Sequence, residues 1–356
     1  MTIPARVAAA LGAAMSAAAL TITPAIPAQA ATTGWRVVFT HHYGVQNNAS
    51  GYLTVIAPGT RNAWAFGSTD LSGATPGVPV AEHWNGSSWR GSTLPAGMSS
   101  AIVAASAPGG KDIWAVTQFG GDILHWNGSI WKVAHRLSGS GQLTGVTAFS
   151  TTNVWVFGGG GFTGGLGTWH YNGSSWQQVT GTASGISRAS ALSPGNIWAI
   201  GATSSPETAI VHYNGAGWQR VKATALTGLQ FSDILARSKT SIWATASSQA
   251  NSFTAYLVHY NGSSWSKTKL PWAVDPERLA RDGHSGFWLS ASDSGSRSWM
   301  VHRSSAGRWS RTLIGSVPTG LLDPVLIPGT ASLWGAGLVK AATGTNAAIW
   351  VHGQVP

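Results

Sequence analysis

Three carboxylates lie close together in this chain, Asp275, Glu277 and Asp282, and they form the one cluster among only 11 acidic residues. Two carboxylates at a defined separation are what glycoside hydrolysis needs, one as acid and the other as base or nucleophile. Convergence of the three on an Arg or a His in one pocket would point to a polysaccharide hydrolase or lyase. If they point apart, that reading loses its basis. His41 and His42 are the one adjacent histidine pair apart from the repeats below, and a metal there needs further ligands brought in by the fold. There is no Cys, which removes thiolate metal sites, cysteine nucleophiles and sulfur-linked cofactors. G-x-S-x-G, H-E-x-x-H and P-loop signatures are absent. No catalytic residue, metal or cofactor is therefore assigned.

Seven other histidines recur along the chain: His83, His125, His170, His212, His259, His302 and His352. Read as one position in seven repeats, they are too dispersed to share a metal, because packed sheets sit about 10 Å apart. They are expected to pack between repeats and hydrogen-bond there, as buried polar groups do. The elements that position them are marked by tryptophan. Trp64, Trp114, Trp155, Trp198, Trp243, Trp288 and Trp334 follow one another at steps of 50, 41, 43, 45, 45 and 46 residues. About 20 residues after each tryptophan comes a second signature such as His170-Tyr171-Asn172-Gly173-Ser174-Ser175-Trp176. A period of 40–50 residues built from short strands and tight turns predicts the blades of a β-propeller.

One repeat reads as four strands in an antiparallel meander. In the fourth, apolar runs at Ile186–Ser193, Ile197–Gly201, Thr208–Tyr213 and Trp218–Val221 are separated by turn residues. Asn-Gly recurs at Asn85, Asn127, Asn172, Asn214 and Asn261. It predicts a two-residue type I′ hairpin in which Tyr171 faces Ser174 and Trp169 faces Trp176. Four of the five copies spell a glycosylation sequon, yet Asn214 lacks the Ser and keeps the turn, so turn formation explains the motif. Six repeats are complete. The seventh has Trp334 and a third strand ending at His352 but no fourth, whereas Gly34-Trp35-Arg36-Val37-Val38-Phe39 matches the fourth-strand pattern. The sequence thus predicts an all-β, seven-bladed propeller of four-stranded antiparallel blades, closed by the N-terminal strand.

The Gly-terminated second strand Phe157-Gly158-Gly159, the aromatic third strand and the Trp opening the fourth resemble kelch and related galactose-oxidase-type propellers across all seven repeats. The diglycine is well placed only in the third repeat; others keep a single Gly, as at Gly67, Gly201 and Gly337. Galactose-oxidase chemistry uses a tyrosine cross-linked to cysteine, so the resemblance extends to the scaffold and not to that cofactor. WD-repeat and Asp-box patterns fit less well, with only Asp293-Ser294-Gly295 approaching an Asp-box.

Arg6, the apolar run Val7–Leu20 and Ala28-Gln29-Ala30 read as a secretory signal peptide over residues 1–30, which leaves residues 31–356 as one propeller domain outside the cell. No other segment is long and apolar enough to span a membrane. Lys and Arg number 21, for a formal charge of +10, but they are scattered without a run of three, so no nucleic-acid footprint is read. The loops between second and third strands vary in length and share a face with the links between blades, where a rigid scaffold usually binds. The aromatic candidates there are Trp272, His41, His42, Tyr43, Phe119, Phe162 and Phe253. The expected function is a non-enzymatic binding protein for an extracellular glycan or cell-wall polymer. The alternatives are a protein-interaction subunit of a secreted assembly, or a polysaccharide hydrolase or lyase.

Overall fold

Four short strands of alternating or wholly apolar pattern cannot bury both sheet faces alone, and each repeat solves this by packing against its neighbours. A computed structural model describes residues 34–44, 49–71, 77–98, 100–139, 141–159, 166–180, 185–202 and 208–356. The proposed signal peptide lies outside them. Among the described residues the chain forms seven antiparallel sheets of four strands. Blade 1 runs from Gly51–Gly59 at the axis through Asn62–Ser68 and Pro79–Trp84 to Trp89–Gly91 at the rim. The inner strands of blades 2 to 7 are Ile102–Gly109, Gln142–Ser150, Ile186–Ser193, Leu229–Ser238, Asp275–Arg281 and Gly320–Leu326. Each inner strand contacts the next, and the seventh returns to the first.

The N-terminal strand Trp35–His41 closes the ring. It is the outer strand of blade 7, paired antiparallel to Thr345–His352 from Trp35↔His352 to His41↔Ala347. Trp35 then packs edge-on against Trp288 of blade 6, with centroids 5.5 Å apart.

The same seam chemistry recurs around the ring. The second-strand tryptophan of one blade is covered by the third-strand aromatic and the fourth-strand tryptophan of the next. Trp155, only 3% exposed, meets Tyr213 at 4.9 Å and Trp218 at 6.0 Å. Trp198 meets Tyr260 and Trp265 in the same way, and Trp334 meets Trp84 and Trp89. Aromatic pairs of this geometry add about 0.5–1.5 kcal/mol each beyond their buried area. Blade 6 carries Arg303 where its siblings have an aromatic, and the guanidinium sits 5.7 Å from the Trp243 ring centre.

Two sequence expectations about local geometry are corrected. The Asn-Gly hairpin is a four-residue loop: Tyr171 pairs with Trp176, and Trp169 pairs with Gln178. The Asn172 side chain accepts from the amides of Ser174 and Ser175, so it works as a cap and keeps an ordinary negative φ, while Gly173 alone is left-handed at +95°. The other four copies bond identically. The second correction concerns His352. Six recurring histidines stack on their own blade's tryptophan at 3.8–4.5 Å. In blade 7 the register differs: Trp334 pairs with Val351, and His352 occupies the aromatic position opposite Trp35. The six are held by intrablade bonds. The Nε2 of His170 lies 3.0 Å from Oδ1 of Asn153, and that of His302 lies 2.9 Å from Asp282.

Candidate binding site at the mouth of the central channel

Every inner strand carries a β-bulge at the same height. Pairing with the second strand skips one residue in each blade: Leu53, Val103, Thr144, Ser187, Ser232, Glu277 and Leu322. A bulge leaves its extra residue outside the ladder and re-aims it. Six of these residues, with Arg188 in blade 4, line a cleft of about 700 Å³ at the axis. Leu71 and Gln118 from the loops between second and third strands, with Ser247 and Ser252 at the strand ends flanking the corresponding turn of blade 5, complete its rim, so the cleft opens on the variable-loop face.

The next residue along each inner strand forms a collar below the mouth. Thr54, Ala104, Gly145, Arg188, Asp233, Arg278 and Asp323 line a narrower cavity of about 180 Å³. Four consecutive blades alternate in charge: Arg188, Asp233, Arg278, Asp323. Each aspartate stitches its blade to the next. Asp323 Oδ2 accepts from Thr54 Oγ1 at 2.8 Å and from the Val55 amide at 3.2 Å. Asp233 Oδ2 accepts from the Leu279 amide at 2.8 Å, and its Oδ1 accepts from Ile234. The Arg278 Nε lies 3.8 Å from Asp323.

Arg188 donates to the carbonyls of Ser187 and Thr144, while its Nε is buried without a partner. Burial pulls the Arg188 guanidinium down to about 10, with Arg278 adding to the shift. Burial pushes the Asp233 carboxyl up against the pull of both arginines; the residue keeps some exposure, but its carboxylate is enclosed.

The mouth is chemically divided. Leu322, Leu53 and Val103, on blades 7, 1 and 2, make an apolar arc with Leu71. Blades 4 to 6 present Arg188, Asp275, Glu277 and Arg278. Burial raises the carboxyls of Asp275 and Glu277, opposed by hydrogen bonds from Ser247 and Ser292 respectively, with Arg278 also holding Glu277 down. Mouth and collar together hold four carboxylates against two guanidinium groups, in a chain whose formal charge is +10. The axis is thus locally acidic.

The acidic cluster divides between the two ends of one strand. Asp275 and Glu277 converge with Arg188 and Arg278 at the mouth. Asp282 sits beyond the far end of that strand, 5% exposed, bonded to His302 and to the amides of His284 and Gly286. Burial raises its pKa, and those bonds outweigh burial to hold it low.

The aromatic candidates do not gather at the mouth. His41 bonds Glu82 of blade 1, whereas the adjacent His42 turns to Asn346 of blade 7, so the pair diverges. Tyr43 stacks on His41 at 4.1 Å. Trp272 belongs to the outer strand Trp265–Ala273 instead of a free link; it is half-buried, with Arg311 lying 5.0 Å from its ring centre. Phe253 is half-buried inside Asn251–Tyr260, whose hairpin to the second strand is only Gln249 and Ala250, so the loop expected there is mostly strand. Phe119 projects at a loop tip, 50% exposed. Phe162 lies outside the described residues. Among the described residues no group of three His, Asp or Glu side chains could hold a metal.

Arg188, Asp233, Arg278 and Asp323 were passed over in the sequence, although each follows the last by 45 residues, the period of the repeat itself. Charged residues spaced at the blade period were the signal that could have found the collar.

Ring, blades and channel together define a seven-bladed β-propeller. No protein-family profile matches the sequence, and no curated protein matches it. Among solved structures, the chain is similar to YCF48 bound to a D1 peptide, at 14% identity and TM-score 0.62, covering 90% of this chain and 96% of that one. It is similar to the WD40 repeats of RRP9, at 10% identity and TM-score 0.62, covering 91% and 98%. It is also similar to a catalytically inactive virginiamycin B lyase from Staphylococcus aureus with quinupristin, at 11% identity and TM-score 0.59, covering 89% and 99%. These likenesses establish the propeller scaffold and do not single out the kelch type.

Proposed function

We propose that this protein is a non-enzymatic binding propeller that takes a segment of a partner protein at the mouth of its channel. The observation that carries this is the division of the mouth into an apolar arc and a charged, hydrogen-bonding arc, where Asp275 and Glu277 face Arg188 and Arg278 above the two collar aspartates. A peptide with a basic side chain beside an apolar one is complementary to that surface. The D1 peptide of the YCF48 structure is a precedent for peptide binding on this scaffold, at fold level only. The scaffold is read as kelch-like, acting outside the cell after cleavage near residue 30.

A glycan or cell-wall ligand is the second reading, favoured by Gln118, Gln142 and Gln230 at the rim. Against it, the one aromatic among the described mouth residues, Phe231, is only 6% exposed and offers no stacking platform. For a hydrolase, Asp275 and Glu277 are the two carboxylates at the mouth, and Asp282 is spent on His302 at the far end of the strand.

Selection of a random peptide display library on residues 31–356, beside a glycan array, tests the reading. Enriched peptides should pair a basic with an apolar residue and lose at least about tenfold in affinity on Glu277→Gln or Leu53→Ser, a loss of about 1.4 kcal/mol. Glycan binding indifferent to both substitutions would overturn it.

A further inference from the structure

A second site lies away from the channel, where the closing strand meets blade 1. Glu82, on the third strand of blade 1, is 1% exposed. Its Oε1 faces Nδ1 of His41 at 2.9 Å and accepts from the Tyr43 hydroxyl at 3.3 Å. The Tyr43 hydroxyl in turn lies 3.1 Å from that of Tyr52. The other oxygen, Oε2, is buried and has no hydrogen-bond partner. This sets Glu82 apart from the other deeply buried carboxylates. Asp122 is held by Arg136, Asp293 by Arg297 and Trp299, and Asp282 by His302 and two amides. Among the described residues Glu82 is the buried carboxylate with an oxygen left unpartnered, and such an oxygen bears its desolvation penalty uncompensated.

Glu82 forms the inner wall of a groove of about 410 Å³, within the range that holds small ligands. Its cross-strand neighbour in blade 1 is Gly91. A Cβ at Gly91 would sit 3.8 and 3.9 Å from the two carboxylate oxygens, so the glycine leaves open the space directly over the acid. The stacked rings of His41 and Tyr43 make one side of the groove, and Val78 and Leu94 contribute apolar surface. The lining contains no Lys or Arg to neutralise the acid.

We propose that this groove binds a small organic ammonium compound, the ammonium bonding Glu82 Oε2 and the apolar body lying along Val78 and Leu94. The cation supplies the missing donor and the missing charge in one group. His41, whose side chain keeps 40% exposure while that of Glu82 keeps 1%, is the wall that must yield to admit it.

Ligand-observed NMR with n-butylammonium chloride, against n-butanol at matched ionic strength, tests the proposal. Binding on the order of millimolar is expected for a ligand of so few atoms. The neutral alcohol should bind at least about tenfold more weakly. Gly91→Leu, at an exposed strand position of ordinary φ, fills the groove while leaving the acid in place, and it should abolish binding without unfolding the chain. Glu82→Gln should abolish the preference for ammonium over alcohol. No detectable ammonium binding, or binding unchanged in Gly91→Leu, overturns the proposal; so does equal affinity for the alcohol, which would leave only an apolar groove. Because peptide selection at the channel mouth does not involve Glu82, either reading can fail alone.

Discussion

The two faces of the ring follow different rules. On one face five hairpins repeat the same Asn cap, and the His–Trp stack behind them recurs in six blades. On the other, the second-to-third connection shrinks to Gln249 and Ala250 in blade 5 and expands to the residues between Ser68 and Pro79 in blade 1. At the axis of that second face all seven bulges share a position, but the residues filling them run from Leu53 to Thr144 to Glu277. Scaffold residues repeat in type because each solves the same packing problem. Mouth residues repeat in position only, because the bulge fixes where they point and leaves open what they are. The first face should therefore control stability, and the second should control binding with little effect on stability.

The severest break is at ring closure. Deleting residues 34–41 strips the outer strand from blade 7, exposes the edge of Thr345–His352 and removes Trp35 from Trp288. Loss of cooperative unfolding in calorimetry, with aggregation, is the expected outcome; a soluble protein of unchanged Tm would refute closure as the source of stability. Next comes a single seam. Trp155→Ala removes an indole buried under Tyr213, Trp218 and His170, at an expected cost of about 3–5 kcal/mol in chemical denaturation. A smaller effect belongs to the turn. Gly173→Ala forces a left-handed φ of +95° on a residue with a Cβ, costing about 1 kcal/mol or more, whereas Gly217→Ala, at ordinary φ with open space around it, should cost almost nothing.

Acidification separates the faces further. Burial lowers the pKa of His83, His170, His212, His259 and His352 from 6.5. A histidine held neutral by the fold stabilises above its unfolded pKa, and that stability drains away as pH falls through 6.5 towards the lowered value. Asp275 and Glu277 carry the opposite sign: their carboxyls are raised above 3.8 and 4.5, so they favour the fold at acid pH and cost stability as pH rises through the raised values. Thermal melts from pH 7.5 to 5 should show Tm falling first, from the histidine face. His170→Gln, which keeps a side-chain amide to bond Asn153, should flatten that slope; an unchanged slope would mean the stacked histidines do not titrate as their burial implies.

How much of this could be read from residues alone follows the same division. Blade number and the closing strand were legible because they depend on recurrence of type: Trp35 looks like Trp218, and both open an outer strand. The Asn cap was legible as a turn but not as a four-residue loop, since Asn-Gly suits both and only the pairing of Tyr171 with Trp176 distinguishes them. His352 looked like a seventh copy because Val-His recurs at Val301-His302 and Val211-His212. Its place depends on register to Trp334, which no local spacing reports. The mouth was the least legible part. Its bulges leave no compositional mark, and of the aromatic candidates Trp272 and Phe253 lie within strands while Phe119 projects at a loop tip.

The smallest expected effect on stability makes the sharpest test of the division. Glu277 is half-buried at the mouth, its carboxyl raised by burial and bonded to Ser292. Glu277→Gln keeps a side chain of the same size that can still bond Ser292, and it removes a charge that the site desolvates. At pH 7 the variant should match the parent in Tm or exceed it slightly, with a stability change below about 1 kcal/mol. Its affinity for a basic peptide should nevertheless fall at least about tenfold, and the acid side of the binding pH profile should lose a component, since protonation of Glu277 no longer switches the mouth's charge. A charge-dependent loss of binding without loss of stability is what a residue selected by position produces. If the same substitution instead melts the ring, the carboxylate belongs with the stitching aspartates of the collar, and the boundary between scaffold and site moves up the channel by one residue per blade.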